Sequence, residues 1–256
     1  MSQRVVLFDL DETLVQEVAP VLDALRATCE LAGLRRELDP LALATTLRSQ
    51  ARAVWEAAPT HTAARALGIS SWEGLRSCFP GSHPTVAALR AWAPVFRTEV
   101  WGRALADHGI TDRQLVVALA AAFPRERAAR HAVYADAEPA LRRLVGAGAK
   151  LGLLTNGPSD LQRQKIAASG LGAYFEAIVV SGELGVGKPD PAVFRVALDQ
   201  LGAAPAEASM VGDTLARDIA GARAVGIRGV WLNRRQTALR LEDPLPDLEI
   251  RTLDDL

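Results

Sequence analysis

The chain opens on an unbroken apolar run, Val5 to Phe8, that breaks into the acidic stretch Asp9-Leu10-Asp11-Glu12. Four apolar residues without alternation predict a strand buried on both faces, as in a parallel sheet. From about Val18 to His131 apolar positions recur at helical spacing, as at Leu22, Leu25, Cys29 and Ala32, in a background rich in Ala, Leu and Arg. This predicts a bundle of four or more amphipathic helices, divided at Asp39-Pro40, Pro80 to Pro84, Pro94 and Phe123-Pro124. Trp55, Trp72, Trp92 and Trp101 read as packing residues of that bundle.

Beyond Tyr134 short apolar runs alternate with helical segments. Helices are predicted over 138–145, from Ser159 (as cap) to Ser169, over 191–201 with Asp190 as cap, and over 219–225. Strands are predicted at 150–154, 178–180, 209–211, 230–232 and 248–250, with 234–247 an exposed loop. Strands spaced by helices of this length predict an α/β fold, a Rossmann-like parallel sheet covered by helices. A lone buried strand needs partners, so residues 1–16 belong with 132–256 in one core. Residues 17–131 are then an all-helical cap domain inserted after the first strand.

Composition narrows the function classes. At 256 residues with a net charge of −1, the chain has no basic excess to neutralise phosphates, which argues against nucleic acid or an anionic membrane as partner. Two cysteines, Cys29 and Cys78, make neither a disulfide framework nor a zinc cluster. A carboxylate appears too early for a secretion signal, and no apolar run approaches ~18 residues, so the expectation is a cytoplasmic monomer or homodimer. One bias is informative: only Lys150, Lys165 and Lys188 are lysines among 29 basic residues.

Parallel sheets bind ligands at the carboxyl ends of their strands. There the sequence offers Asp9 and Asp11, then Thr155, Asn156 and Gly157, then Lys188, then Asp213 with Asp218 five residues on. Several carboxylates suit a hard cation such as Mg²⁺, and a lysine with a hydroxyl suits an anion, so the pattern reads as phosphoryl chemistry. Taken singly, each element has a plainer reading: Asp213 or Asp218 as a helix cap, Thr155 to Gly157 as a turn, Lys188 as a solvated loop charge. The histidines, His61, His83, His108 and His131, lack metal-ligand spacing.

The motifs DLDET (9–13), LLTNG (153–157), GVGKPDP (185–191) and GDTLARD (212–218) resemble, in order, the four motifs of the haloacid dehalogenase-like hydrolases. The resemblance implies Asp9 as a nucleophile forming an aspartyl-phosphate, and Asp11 as general acid and then base. It implies Mg²⁺ held by Asp9, the backbone carbonyl of Asp11, and Asp213. Thr155 and the backbone at Asn156 would bind the phosphoryl group. Lys188 would neutralise Asp9 and the phosphate, with Asp218 orienting Lys188 or a metal-bound water. For Asp11 to protonate a leaving alcohol its pKa must rise, an effect expected from the neighbouring negative charge.

The expectation is a Mg²⁺-dependent phosphatase for a small phosphorylated metabolite. A 2-haloacid dehalogenase is the alternative that Asp11 argues against, because halide leaves without a proton. A phosphosugar mutase shares both aspartates. Phosphonate cleavage needs a cap lysine, and residues 17–131 have none. A non-turnover phospho-acceptor would carry its acceptor on a later strand, and a catalytically dead scaffold would not keep every motif residue. The cap arginines, Arg52, Arg65, Arg90, Arg97 and Arg103 among them, are expected on a solvated helix face.

Overall fold

Six strands form one sheet in the order β5-β4-β1-β6-β7-β8, every neighbouring pair parallel, in a computed structural model that describes residues 5–34 and 38–256. The first four residues assigned to the core therefore lie outside the described residues. In chain order, β1 (Val5–Phe8) and the short β2 (Val15–Gln16) precede six helices: α1 (Val18–Gly33), α2 (Pro40–Glu56), α3 (His61–Ala66), α4 (Ser71–Gly74), α5 (Pro84–Ala106) and α6 (Arg113–Ala128). Then come β3 (Ala132–Val133), α7 (Ala137–Gly146), β4 (Lys150–Thr155), α8 (Ser159–Ser169), β5 (Ala177–Val180) and α9 (Ser181–Leu184). The chain closes with α10 (Pro191–Leu201), β6 (Ala208–Gly212), α11 (Ala220–Ala224), β7 (Arg228–Leu232) and β8 (Leu248–Ile250).

β1 shows why an unbroken apolar run was required. Val6 and Phe8 enter a cluster with Leu141, Leu153 and Ile166, whereas Val5 and Leu7 enter another with Phe194, Leu198 and Met210 on the opposite face. Period-two geometry sends alternate side chains to opposite sides, and here both sides are covered. The helices between β2 and β3 carry their own apolar cluster, which includes Leu25, Leu47, Phe96, Trp101 and Phe123. Trp55 packs against Phe96 with ring centroids 5.1 Å apart. β2 and β3, which flank these helices along the chain, pair antiparallel.

Three local expectations are corrected. Pro94 lies inside α5 and Pro124 inside α6, so neither divides a helix. A helix-interior proline costs about 3 kcal/mol. In α5 it is exposed, while Leu89, Phe96, Val100 and Trp101 are buried along the same helix, each contributing about 1.5–3 kcal/mol. Burial outweighs the break. Ser159 is the first residue of α8 rather than its cap, and its hydroxyl donates instead to the carbonyl of Pro80 at 3.4 Å. The helix expected over 219–225 starts earlier, as a wide π-type turn over Leu215–Ile219 that continues into α11.

Candidate active site

The strand order reverses at β1. From β1 the chain builds β4 and β5 on one side, then β6, β7 and β8 on the other. Such a switch point leaves a crevice beyond the carboxyl end of the central strand. Asp9 is the first residue past β1, and its amide donates to the Val211 carbonyl of β6 at 2.9 Å. The Asp9 carboxylate is buried. Its Oδ1 accepts from Lys188 Nζ at 2.6 Å, and its Oδ2 from the Thr13 hydroxyl at 3.3 Å.

Lys188 Nζ also lies 2.7 Å from Asp218 Oδ1. Burial pulls Lys188 down, but Asp218 and Asp9 outweigh it and hold the ammonium above its ordinary value. The Lys188 backbone is clasped by the Asn156 side chain, whose Oδ1 accepts from the Lys188 amide at 2.8 Å while Nδ2 donates to its carbonyl at 2.9 Å. Asp218 Oδ2 accepts from the Thr214 amide at 2.9 Å, and it approaches Gly212 so closely that a Cβ there would lie 2.3 Å from that oxygen. Only glycine fits beneath it.

Asp9, Asp213 and Asp218 each offer a carboxylate oxygen within 4.8 Å of the others. Burial, with Asp9 and Asp218 adding repulsion, pushes Asp213 up to about 7. Three close carboxylates against one ammonium leave negative charge to be neutralised, and hard oxygen donors fit a Mg²⁺-sized cation. The Asp11 carboxylate stands apart from this cluster.

The acidic stretch after β1 sends its three carboxylates to three destinations. Asp9 meets Lys188. Asp11 meets Lys165, at 2.8 and 2.9 Å from its two oxygens, and Gln162 Nε2 at 2.9 Å. Glu12, with the left-handed φ of 59°, turns back so that its Oε1 accepts from the amides of Glu17 and Val18 at the start of α1. Burial is the leading cause that pushes Asp11 up; Lys165 pulls against it, and Asp9 is a smaller influence than Glu17. The expectation that neighbouring negative charge drives this shift is thus corrected in its cause. Thr155 closes the set, its hydroxyl accepting from the same Gln162 Nε2 at 2.6 Å.

A cavity of about 290 Å³ opens over these groups, walled by Val18, Val21, Leu22, Trp72 and Glu73 from between β2 and β3. Trp72 therefore lines the site as well as packing against the helical cluster, its ring centroid 6.4 Å from that of Phe123. Among the arginines named from sequence, Arg52 and Arg103 pair with Glu56 and Glu99 on exposed helix faces. Arg90 and Arg97 bind backbone carbonyls. The arginines that border the cavity are instead Arg48 and Arg217. Sequence reasoning missed Gln162 and Lys165 altogether. Their signal was faint: a lysine on the buried face of a helix, in a chain that otherwise uses arginine.

Comparison with known proteins identifies the family. The profile of the haloacid dehalogenase-like hydrolase family matches residues 3–226. A phosphoserine phosphatase of Thermus thermophilus is 40% identical over 255 residues, covering 99% of this chain and 97% of that protein. A 2-haloacid dehalogenase structure from Pseudomonas syringae is 28% identical with a TM-score of 0.60, covering 100% of this chain and 96% of that one. The YfnB protein of Bacillus subtilis, whose structure was determined with magnesium bound, shares the fold at 21% identity and a TM-score of 0.67, covering 100% of this chain and 97% of that one. With its motifs gathered at the switch point of a parallel sheet, the chain belongs to the haloacid dehalogenase-like hydrolases.

Proposed function

We propose that the protein is a Mg²⁺-dependent phosphatase acting on a small phosphorylated metabolite, with phosphoserine the first substrate to test. One observation carries the reading: Asp9 stands at the carboxyl end of β1 with Lys188 on one oxygen and Asp213 and Asp218 beside it. Asp9 and Asp213, with the backbone carbonyl of Asp11, would hold Mg²⁺. Bound there, the cation would offset the negative charge of the carboxylates and the phosphate. Asp9 attacks phosphorus as the ester P–O bond breaks, and the departing oxygen keeps the bonding pair and takes the proton of Asp11. Water then attacks phosphorus, gives its proton to Asp11, and the pair of the Asp9–P bond returns to Asp9. Thr155 and the backbone at Asn156 bind the phosphoryl oxygens. Lys188, aimed by Asp218 and the Asn156 clasp, offsets the charge on Asp9 and phosphate.

In this reading residues 17–131 are a cap over a core of residues 1–16 and 132–256. The phosphoserine choice is supported by the 40% identical relative and by Arg48 and Arg217 at the cavity rim, cations suited to a substrate carboxylate. Dehalogenation has the 28% identical structure in its favour. Asp11 weighs against it, since a departing halide needs no proton. Phosphate release from phosphoserine, a panel of other phosphomonoesters and halide release from 2-chloropropionate, each with Mg²⁺ and with excess chelator, decide the matter. Metal-dependent multiple turnover of a phosphomonoester is expected. Halide release alone, or full activity in chelator, would overturn the reading.

A further inference from the structure

Each aspartate of the first motif has its own lysine. Lys188 meets Asp9, and Lys165 meets Asp11; the chain's third lysine, Lys150, bonds the Leu201 carbonyl at 3.1 Å. Lys165 lies in none of the four motifs, yet it is only 3% exposed and its Nζ reaches both Asp11 oxygens. Three residues earlier on the same face of α8, Gln162 joins Asp11 Oδ2 to the Thr155 hydroxyl. Side chains at i and i+3 of a helix sit together, so α8 delivers two donors to one carboxylate. Lys165 also meets Glu17, at 3.2 Å from Nζ, itself held by Arg76 at 2.8 Å and by Arg127. The ammonium is thereby held between two carboxylates, Asp11 and Glu17.

We propose that Lys165 is a positioning residue for the proposed phosphatase reaction: braced by Glu17, it fixes the direction of the Asp11 carboxyl group for proton transfer. The inference rests on Asp11 acting as general acid and base. The Asp11 side chain has two rotatable bonds, and a misplacement of ~1 Å at a reacting group can cost ~10²-fold in rate. Gln162 alone fixes one oxygen; Lys165 fixes both. The proton involved passes from Asp11 to the ester oxygen as the P–O bond breaks with its electron pair on that oxygen. Lys165 touches neither substrate nor phosphorus.

The role separates from general structural support by leaving group. An alkyl phosphate such as phosphoserine needs its departing oxygen protonated, whereas 4-nitrophenyl phosphate departs as a stable phenolate. Measured on the first, leaving-group-releasing step in a single turnover, Lys165→Met is expected to slow release of the alkyl alcohol by roughly 10²-fold while release of 4-nitrophenolate slows less than ~5-fold, the same asymmetry as Asp11→Asn. The double variant should be no slower than Asp11→Asn alone, because the two changes disable one function. Equal losses for both esters, or multiplicative losses in the double variant, would overturn the proposal. Should Lys165→Met fail to fold, Lys165→Arg carries the test. It keeps the charge facing Glu17 but moves the donors, and it should show the same asymmetry at smaller size; symmetric losses, or wild-type rates on both esters, would overturn the proposal. If Asp11→Asn itself shows no leaving-group dependence, the fault lies with the general-acid reading rather than with Lys165 alone.

Discussion

Asp213→Asn in metal-free protein tests whether the acidic cluster is a cation site under electrostatic tension. Burial first, then Asp9 and Asp218, push Asp213 from 3.8 to about 7 in the folded state. The folded protein thus keeps a proton that the unfolded chain releases. The stability linked to that proton is fully present below pH ~3.8 and is lost as pH rises through about 7. A gap of roughly three units corresponds to ~4 kcal/mol, and solvent screening of this partly buried group reduces it to ~2 kcal/mol. Asparagine has nearly the same shape, can still accept from the Thr214 hydroxyl, now 2.9 Å from Asp213 Oδ1, and carries no charge. At pH 8 in chelator the variant should therefore melt higher than the wild type by roughly 4–8 °C, a difference that narrows to about a third by pH 5. Thermal unfolding of both proteins from pH 5 to 8, without and then with Mg²⁺, reads this directly. Mg²⁺ should raise the melting temperature of the wild type and do little for the variant. A variant less stable than wild type at pH 8 in chelator, or a difference that ignores pH, would refute the reasoning.

Asp9→Asn should abolish phosphomonoester turnover with an unchanged circular dichroism spectrum, whereas Asp11→Asn should still bind substrate and lose roughly 10²–10⁴-fold; the opposite ranking would reverse their assigned roles. Lys188→Arg should lose most of kcat at saturating Mg²⁺ with little change in melting temperature, because a planar guanidinium cannot occupy the point between Asp9 and Asp218. Near-wild-type turnover would remove Lys188 from the site. Gly212→Ala should cost activity on alkyl and aryl phosphates alike, since the added methyl would lie 2.3 Å from Asp218 Oδ2 and displace the residue that aims Lys188. Unchanged kcat in that variant would show that Asp218 need not stay where it is.

What the sequence made legible was whatever writes itself into local pattern. The two-sided burial of β1 required an uninterrupted run, and Val5 to Phe8 supplied one. The Asp190 cap followed from an Asp-Pro start, and its Oδ1 does accept from the Ala192 amide at 2.8 Å. Residues joined only through the tertiary fold stayed hidden. Lys165 and Gln162 are separated from Asp11 by about 150 positions, and on α8 alone they read as polar residues of an ordinary helix. The Asn156 side chain is a comparable case: its motif pointed to the backbone, while its amide clasps both polar groups of Lys188 across 32 residues. Pro94 misled because breaker rules weigh the backbone alone, and the packing of Phe96 and Trp101 outweighs them. Glu12 was unreadable for the opposite reason: its contribution depends on a left-handed backbone, φ 59°, that a residue other than glycine seldom adopts.

The central claim is that Asp9 carries the phosphoryl group during turnover. Rapid acid quench of a single turnover with phosphoserine and Mg²⁺, followed by peptide mass spectrometry, measures it directly. One phosphoryl group is expected on the peptide containing residues 5–15, assigned to Asp9, and absent from Asp9→Asn. Substrate consumed with no phosphorylated peptide at any quench time, or the label on a different residue, would contradict it.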